Sequence, residues 1–117
     1  MSKRGDELFL GHMLRMAVTA RDLVTGMTRA DFEHDVRTQL ALVRAITIIG
    51  EAARQVTSAG TSANPRIPWA RIIGMRHKLV HDYFETDLDV VWTTATVHIP
   101  ELIALLEPIT PPEPPSA

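Results

Sequence analysis

The chain of 117 residues contains no cysteine, which excludes disulfide bonds, thiolate metal sites and a cysteine nucleophile. It also lacks an uninterrupted apolar run near the roughly 18 residues that a membrane-spanning helix needs, so we expect no membrane partner. Charged side chains, among them Asp6, Glu7 and Arg15, interrupt the apolar stretch near its start, which is not the pattern of a secretory signal peptide. We therefore expect a cytoplasmic protein with a single folded domain.

Acidic residues are missing from one segment, and basic residues are missing from another. Residues 1–51 carry equal numbers of the two, residues 52–81 carry five cations and no acid, and residues 82–117 carry seven acids and no Lys or Arg. The net charge of −2 therefore hides a local charge of +5. The total is not that of a general nucleic-acid coat, but any function has to account for the acid-free segment 52–81.

Strand signals are missing as well, and the apolar spacing is helical nearly throughout. It predicts a first helix from Asp6 to about Met27. A capping box that starts at Thr28 predicts a second, long helix that continues to about Ser58. Gly50 is costly inside that helix, and the close approach of a neighbouring helix would explain it.

The second half of the chain completes a helical pattern. Residues 58–68 are rich in Gly, Ser, Asn and Pro and predict a loop. Helices are predicted over 69–84 and 88–107, the second kinked by Pro100. We therefore predict an all-α fold, an antiparallel bundle of four to five helices over residues 1–107, followed by a mobile proline-rich tail at 108–117.

The residues able to do chemistry are concentrated in GMRHKLVHDYF, residues 74–84, within the third helix. At 3.6 residues per turn, His77 and His81 share one face with Glu85, and Arg76 shares another with Tyr83. Arg76 and His81 lie about 140° apart around the helix axis. They point the same way only if the helix distorts, although the long Arg76 side chain can wrap toward His81, and a second copy of the helix could also complete the site. This geometry favours a composite site.

Three sequence blocks in this order resemble the HepT-like family of the HEPN superfamily. Arg76-x4-His81-x-Tyr83 matches the family's Arg-x4-His-x-Tyr motif. LALVRAITIIGEAARQV (40–56) resembles its central helix, and IPWARIIGMRHKLVHDYF (67–84) with DLDVVW (87–92) resembles the block that follows. The family most often has Asn or another polar residue after the Arg, where this chain has His77.

The resemblance implies an all-helical homodimer that acts as a metal-independent endoribonuclease, the toxin of a type VII-like toxin–antitoxin pair. It implies that Arg76 and His81 line a cleft at the dimer interface. It also implies that a small nucleotidyltransferase of the MntA type, the antitoxin, silences the toxin by adenylylating Tyr83. No cofactor is implied.

The chemistry of RNA cleavage fits these residue types. RNA carries its own nucleophile, the 2′-hydroxyl, so the protein has to supply a proton acceptor and a cation. Histidine changes its charge near neutral pH, which suits His81, and the guanidinium of Arg76 offers paired donors to phosphate oxygens. We expect Arg71 and Lys78 to hold the RNA backbone. His77 is expected to be either a polar neighbour in the cleft or simply a solvated side chain.

Several alternatives remain. Glu51 either orients the Arg–His pair, pairs with Arg44, or serves helix packing. The whole protein could instead be an inactive helical scaffold or adaptor that binds a nucleotidyltransferase. A metal-dependent hydrolase built on His77, His81 and Glu85 is a further alternative, although no fourth ligand is evident.

Overall fold

The computed structural model describes residues 3–81 and 87–111, and within these ranges every regular element is helical. The elements in chain order are α1 (Lys3–Val24), α2 (Arg29–Glu33), α3 (Val36–Gln55), α4 (Ser58–Ala63), α5 (Trp69–His81), α6 (Leu88–Thr93), a π-helical segment (Thr94–His98), α7 (Ile99–Leu106) and a 3-10 turn (Glu107–Ile109). The all-α prediction is confirmed.

The predicted long second helix is wrong as a single element, because the chain breaks between α2 and α3. The Thr28 capping box does start α2, since Thr28 and Asp31 exchange hydrogen bonds of 3.0 Å. Asp35 then caps a new helix, because its carboxylate accepts from the Thr38 amide at 3.0 Å. The Gln39 side chain donates to the Phe32 carbonyl at 2.8 Å, so the end of α2 is also satisfied. The hydrogen bonds at these two caps thus divide the predicted helix into α2 and α3, although the apolar periodicity continues through the break.

The core forms where α1, α3 and α7 pack together, with α5 laid against α3. Its largest fully buried side chains are Met13, Phe32, Leu42, Ile49, Val91 and Leu106. Both tryptophans pack against this core, as expected of anchors. Trp92 lies 5.3 Å from the Phe32 ring, centroid to centroid, and the indole N–H of Trp69 donates to the Asn64 carbonyl at 3.0 Å.

The last helical run continues through Pro100 because the helix widens just before it. Proline has no N–H to donate, and the chain takes up one extra residue, so that the Ile99 amide donates to the carbonyl of Thr94, five residues back. By length and composition alone, the run Leu88–Ile109 is able to cross a membrane. Here its apolar side faces the protein core, since Leu102 and Leu106 are buried.

Two predicted irregular segments contain short helices. Thr57 caps α4, which occupies the first half of the predicted loop 58–68. At the other end of the domain, Ile109 packs against the core and the Thr110 hydroxyl donates to the Leu106 carbonyl at 2.8 Å. The predicted tail therefore begins later than residue 108. Residues 112–117 lie outside the described part of the chain.

Candidate functional site

Helix α5 carries most of the predicted site, and its own sequence sets its orientation. Leu79 is buried, and Ile72 and Met75 are half-buried against the core, so this stripe faces α3. His77 and Lys78 lie on the exposed side of the helix. The same amphipathic pattern that docks the helix thus divides the acid-free segment into an inward and an outward face.

Arg76 lies on the inward face, against Gly50 of α3. A Cβ built on Gly50 would overlap the Cβ of Arg76, would lie 2.8 Å from its Cγ and would lie 3.2 Å from the carbonyl oxygen of Ile72. The two helices therefore cross at a point that has no room for a side chain on α3. The expectation that close approach of another helix explains Gly50 is confirmed.

The guanidinium of Arg76 has a hydrogen-bond donor with no acceptor among the described residues. Its Nε is buried without a hydrogen-bond partner among residues 3–81 and 87–111. A buried donor without an acceptor costs about 1–3 kcal/mol and requires an explanation. Packing on Gly50, rather than an ion pair, holds the stem of this arginine in place.

Glu51 does not supply that acceptor. It is half-buried directly after Gly50. Within the described residues, the side-chain ion pairs are Arg21–Asp22, Arg29–Asp89 and His98–Glu101. Neither an ion pair with Arg44 nor one with Arg76 is present among the described residues, and the role of Glu51 stays a prediction.

The two histidines lie side by side on the exposed face of α5. The rings of His77 and His81 are 4.4 Å apart, centroid to centroid, and are inclined by 51°. His81 is exposed, whereas Arg76 is half-buried against α3. No hydrogen bond joins the two side chains among the described residues, and the composite site stays a prediction.

Two predicted members of the site lie outside the described residues. They are Tyr83, the expected adenylylation acceptor, and Glu85, the third member of the alternative metal site. In the part of the chain that the structure describes, no three His, Asp or Glu side chains come together in a way that could hold a metal ion.

A groove that sequence reasoning missed lies between α5 and the last helical run. We call it the α5–α7 groove; it has a volume of about 500 Å³. It is lined by Ile46 and Ile49 of α3, Arg66 and Pro68 before α5, Arg71, Ile72 and Met75 of α5, Asp89, Val90, Thr93, Thr94 and His98 of α6 and the π-helical segment, and Ile99, Glu101, Leu102 and Leu105 of α7. Neither Arg76 nor His81 lines it. The sequence signal was the acid-free segment, which supplies its two arginines.

One contact crosses this groove. The Arg71 guanidinium donates to Nδ1 of His98 at 3.1 Å, joining α5 to the π-helical segment. The same nitrogen lies 3.9 Å from a carboxylate oxygen of Glu101. Because the guanidinium can only donate, Nδ1 of His98 is the acceptor in this contact.

Comparison with known proteins places these residues in context. The family model described as "Ribonuclease HepT-like" matches residues 13–109. "Probable ribonuclease HepT" of Thermococcus cleftensis is 40% identical over 87 residues, which cover 71% of this chain and 79% of that protein. "Putative RNase TTE0752" of Caldanaerobacter subterraneus subsp. tengcongensis is 35% identical over 94 residues, 80% of this chain and 84% of the relative. No solved structure matches the chain.

Proposed function

The chain belongs to the HepT-like ribonuclease family, and from that premise we propose that it is an endoribonuclease that cleaves RNA without a metal ion. The observation that carries the proposal is Arg76: packing on Gly50 positions its stem, and no carboxylate among the described residues occupies its guanidinium. A guanidinium held in this way is suited to the charge that develops on a phosphate during cleavage.

His81 is the proton-transfer group in this proposal. It is exposed on the same helix, and the imidazole suits removal of a proton from the RNA 2′-hydroxyl. Arg76 is half-buried against α3 while His81 is exposed, so the proposed site combines groups from two chains. A homodimer would bring His81 of one copy to Arg76 of the other, and its two copies would supply both acid and base.

The test is a pair of histidine variants. His81→Ala should abolish cleavage of total RNA, while His77→Ala, the neighbour one turn earlier, should retain most of the activity. Both variants should unfold at the wild-type temperature, because both side chains are exposed. Cleavage that survives in His81→Ala would show that His81 is not the catalytic residue, whereas a wild-type chain that cleaves no RNA would favour the alternative of a non-catalytic adaptor. Activity that EDTA removes would favour the metal-dependent alternative.

Regulation by a nucleotidyltransferase is the second part of the proposal. An adenylyl group on Tyr83, seven residues after Arg76, would add negative charge where an RNA phosphate has to bind. The protein would then act as the toxin of a pair whose antitoxin is the modifying enzyme. After co-expression with a neighbouring nucleotidyltransferase, intact mass should rise by one AMP in the wild type and stay unchanged in Tyr83→Phe. An AMP mapped to another residue would contradict this assignment.

RNA-backbone binding through the exposed cations gives a separate measurement. Arg71 and Lys78 are exposed, so each is free to release counterions when it meets a phosphate. The logarithm of the binding constant should fall with the logarithm of salt concentration by about 0.7 for each phosphate contact to a single strand. Lys78→Gln should make this slope shallower by that amount, and an unchanged slope would remove Lys78 from the RNA interface.

A further inference from the structure

The α5–α7 groove is separate from the proposed reacting groups, yet it lies next to them along α5. Met75, which lines the groove, directly precedes Arg76. Arg71, on its rim, is five residues before Arg76, which corresponds to about 7.5 Å along the helix axis. Arg71 and Arg76, like Arg76 and His81, lie about 140° apart around the helix axis, so a chain-like substrate bound at Arg76 would place an adjoining unit in this groove by following α5 part of the way around.

The inside of the groove suits a flat, weakly polar group. Its floor is made of aliphatic side chains from three elements, including the buried Ile49 and Leu102 and the half-buried Ile72. The volume of about 500 Å³ falls within the range of about 300–1,000 Å³ typical of small-molecule pockets. A single nucleobase fits such a space, whereas a base pair inside a duplex cannot enter it without unpairing.

The rim of the groove favours an anion. Arg66 and Arg71 are both exposed there. The charge of Asp89, on the same rim, is balanced by Arg29, whose guanidinium lies 2.8 Å from its carboxylate. The remaining rim acid, Glu101, lies beside His98. With Asp89 balanced, two arginines face one acid on the rim, so its net charge is positive.

The contact between Arg71 and His98 is one that a phosphate can replace. A neutral imidazole nitrogen is a weaker acceptor for a guanidinium than a phosphate oxygen, which forms shorter, charge-assisted hydrogen bonds. Once Arg71 turns to a phosphate, Nδ1 of His98 no longer has to accept from it, and the ring tautomer that carries its N–H there can donate to the same anion. The two side chains thus mark one anion position between α5 and the π-helical segment.

We propose that the α5–α7 groove binds one nucleotide of unpaired RNA, with its base on the aliphatic floor and its phosphate between Arg71 and His98. This inference rests on the proposed ribonuclease function and adds to it a preference for single-stranded RNA. The bound nucleotide flanks the phosphate that Arg76 contacts. The groove thereby selects the substrate, while Arg76 and His81 perform the cleavage.

The test measures binding without cleavage. A fluorescent 2′-O-methyl RNA oligonucleotide lacks the nucleophilic hydroxyl, so its dissociation constant can be measured by anisotropy with the full chain. Thr93→Glu places a charge on the groove wall and should weaken binding about tenfold. Thr96→Glu, equally exposed but outside the groove, should change binding less than twofold. Equal effects of the two variants would overturn the proposal.

A second matched pair tests the anion position. Arg71→Gln should weaken binding about tenfold, whereas Arg54→Gln, an exposed cation of the same acid-free segment outside the groove, should have less than a twofold effect. With the oligonucleotide annealed to its complement, both substitutions should have equally small effects. A loss on the duplex that matches the loss on the single strand would refute the preference for unpaired RNA.

Other occupants of the groove would give distinct results. If micromolar AMP displaces the oligonucleotide, the groove binds a free nucleotide. If the wild type is a dimer and Thr93→Glu is a monomer, the groove binds a second copy of the chain. Either result overturns the proposal. If the wild-type chain cleaves no RNA but binds the oligonucleotide through Arg71, the proposed function is contradicted and the groove assignment still holds. If cleavage depends on His81 while the groove variants bind like their controls, the proposed function would stand and the groove assignment would be overturned.

Discussion

Replacement of Gly50 by alanine is the sharpest single perturbation that the structure offers, because two physical effects predict opposite signs. Alanine is the better helix former, and the exchange alone would stabilise an exposed helix by about 1 kcal/mol. At Gly50, however, the new methyl group would overlap the Cβ of Arg76 and would lie 3.2 Å from the carbonyl oxygen of Ile72. Neither atom belongs to the flexible end of a side chain.

The steric term should win. Relief of the overlap requires α5 to move away from α3, since Cβ and the carbonyl oxygen move only with the backbone. Overpacking of this kind costs about 1–3 kcal/mol, and separation of the helices also loosens contacts made by Ile72. After the propensity gain, we expect Gly50→Ala to lower the free energy of unfolding by about 1–2 kcal/mol. The melting temperature should fall by several degrees.

Two comparisons make the prediction decisive. Gly74 lies on the exposed face of α5, and no atom lies within 4 Å of the position that an alanine methyl group would take there, so Gly74→Ala should raise the free energy of unfolding by about 0.5–1 kcal/mol. In an Arg76→Gly background, where the overlapping Cβ is gone, the penalty of Gly50→Ala should shrink. Urea denaturation measures all of these variants. If Gly50→Ala is as stabilising as Gly74→Ala, the crossing geometry of α3 and α5 is wrong.

Three further predictions concern stability alone. The hydroxyl and then the amide of Thr57 donate to the Asp6 carboxylate and hold its pKa below the ordinary value, against the opposing effect of burial. The stability that this contact contributes is therefore present above the pKa of Asp6 in the unfolded chain, and it is lost as pH falls through the pKa in the folded chain. The difference in free energy of unfolding between wild type and Asp6→Asn, measured by urea denaturation, should therefore vanish in strong acid. A difference that persists there would contradict it. Thr28→Ala removes one half of the capping box and should cost about 1 kcal/mol in the same assay. Phe32→Ala leaves a cavity beside Trp92 and should cost about 3–5 kcal/mol, with a change in tryptophan fluorescence; a cost below about 1 kcal/mol would mean that α2 does not close the core.

The parts of the fold that were predictable from sequence depend on patterns that lie within one helical turn or along one face of a single helix. The Thr28 capping box and the apolar stripe of α5 are such signals. The break at Asp35 was missed because the helical periodicity continues through it, and only the side-chain bond to Thr38 ends one helix and starts another. The π-helical segment was missed for a similar reason. A proline can end a helix or widen it, and the packing of Ile99 into the core favours widening.

The site was predictable to the extent that one helix determines it. Spacing along α5 places His77 beside His81, and the structure has this arrangement, with both histidines exposed and Arg76 half-buried against α3. The contact between Arg76 and Gly50 joins residues on two helices, so only the presence of a costly glycine hinted at it. The groove depends on three separate stretches of chain and on an open space between α5 and α7, which no local pattern encodes.

The acid-free segment shows how one sequence signal divides into different physical roles once the chain folds. Arg76 is half-buried and committed to the helix crossing, Lys78 is exposed beside the histidines, and Arg66 and Arg71 face the groove. A local charge of +5 therefore does not form one uniform patch. Because charges interact strongly only over about a Debye length, each position would contribute, in the proposed complex, to the part of the RNA nearest to it. The absence of acids matters most at Arg76, since a carboxylate within reach would occupy the guanidinium that the proposed chemistry requires to be free.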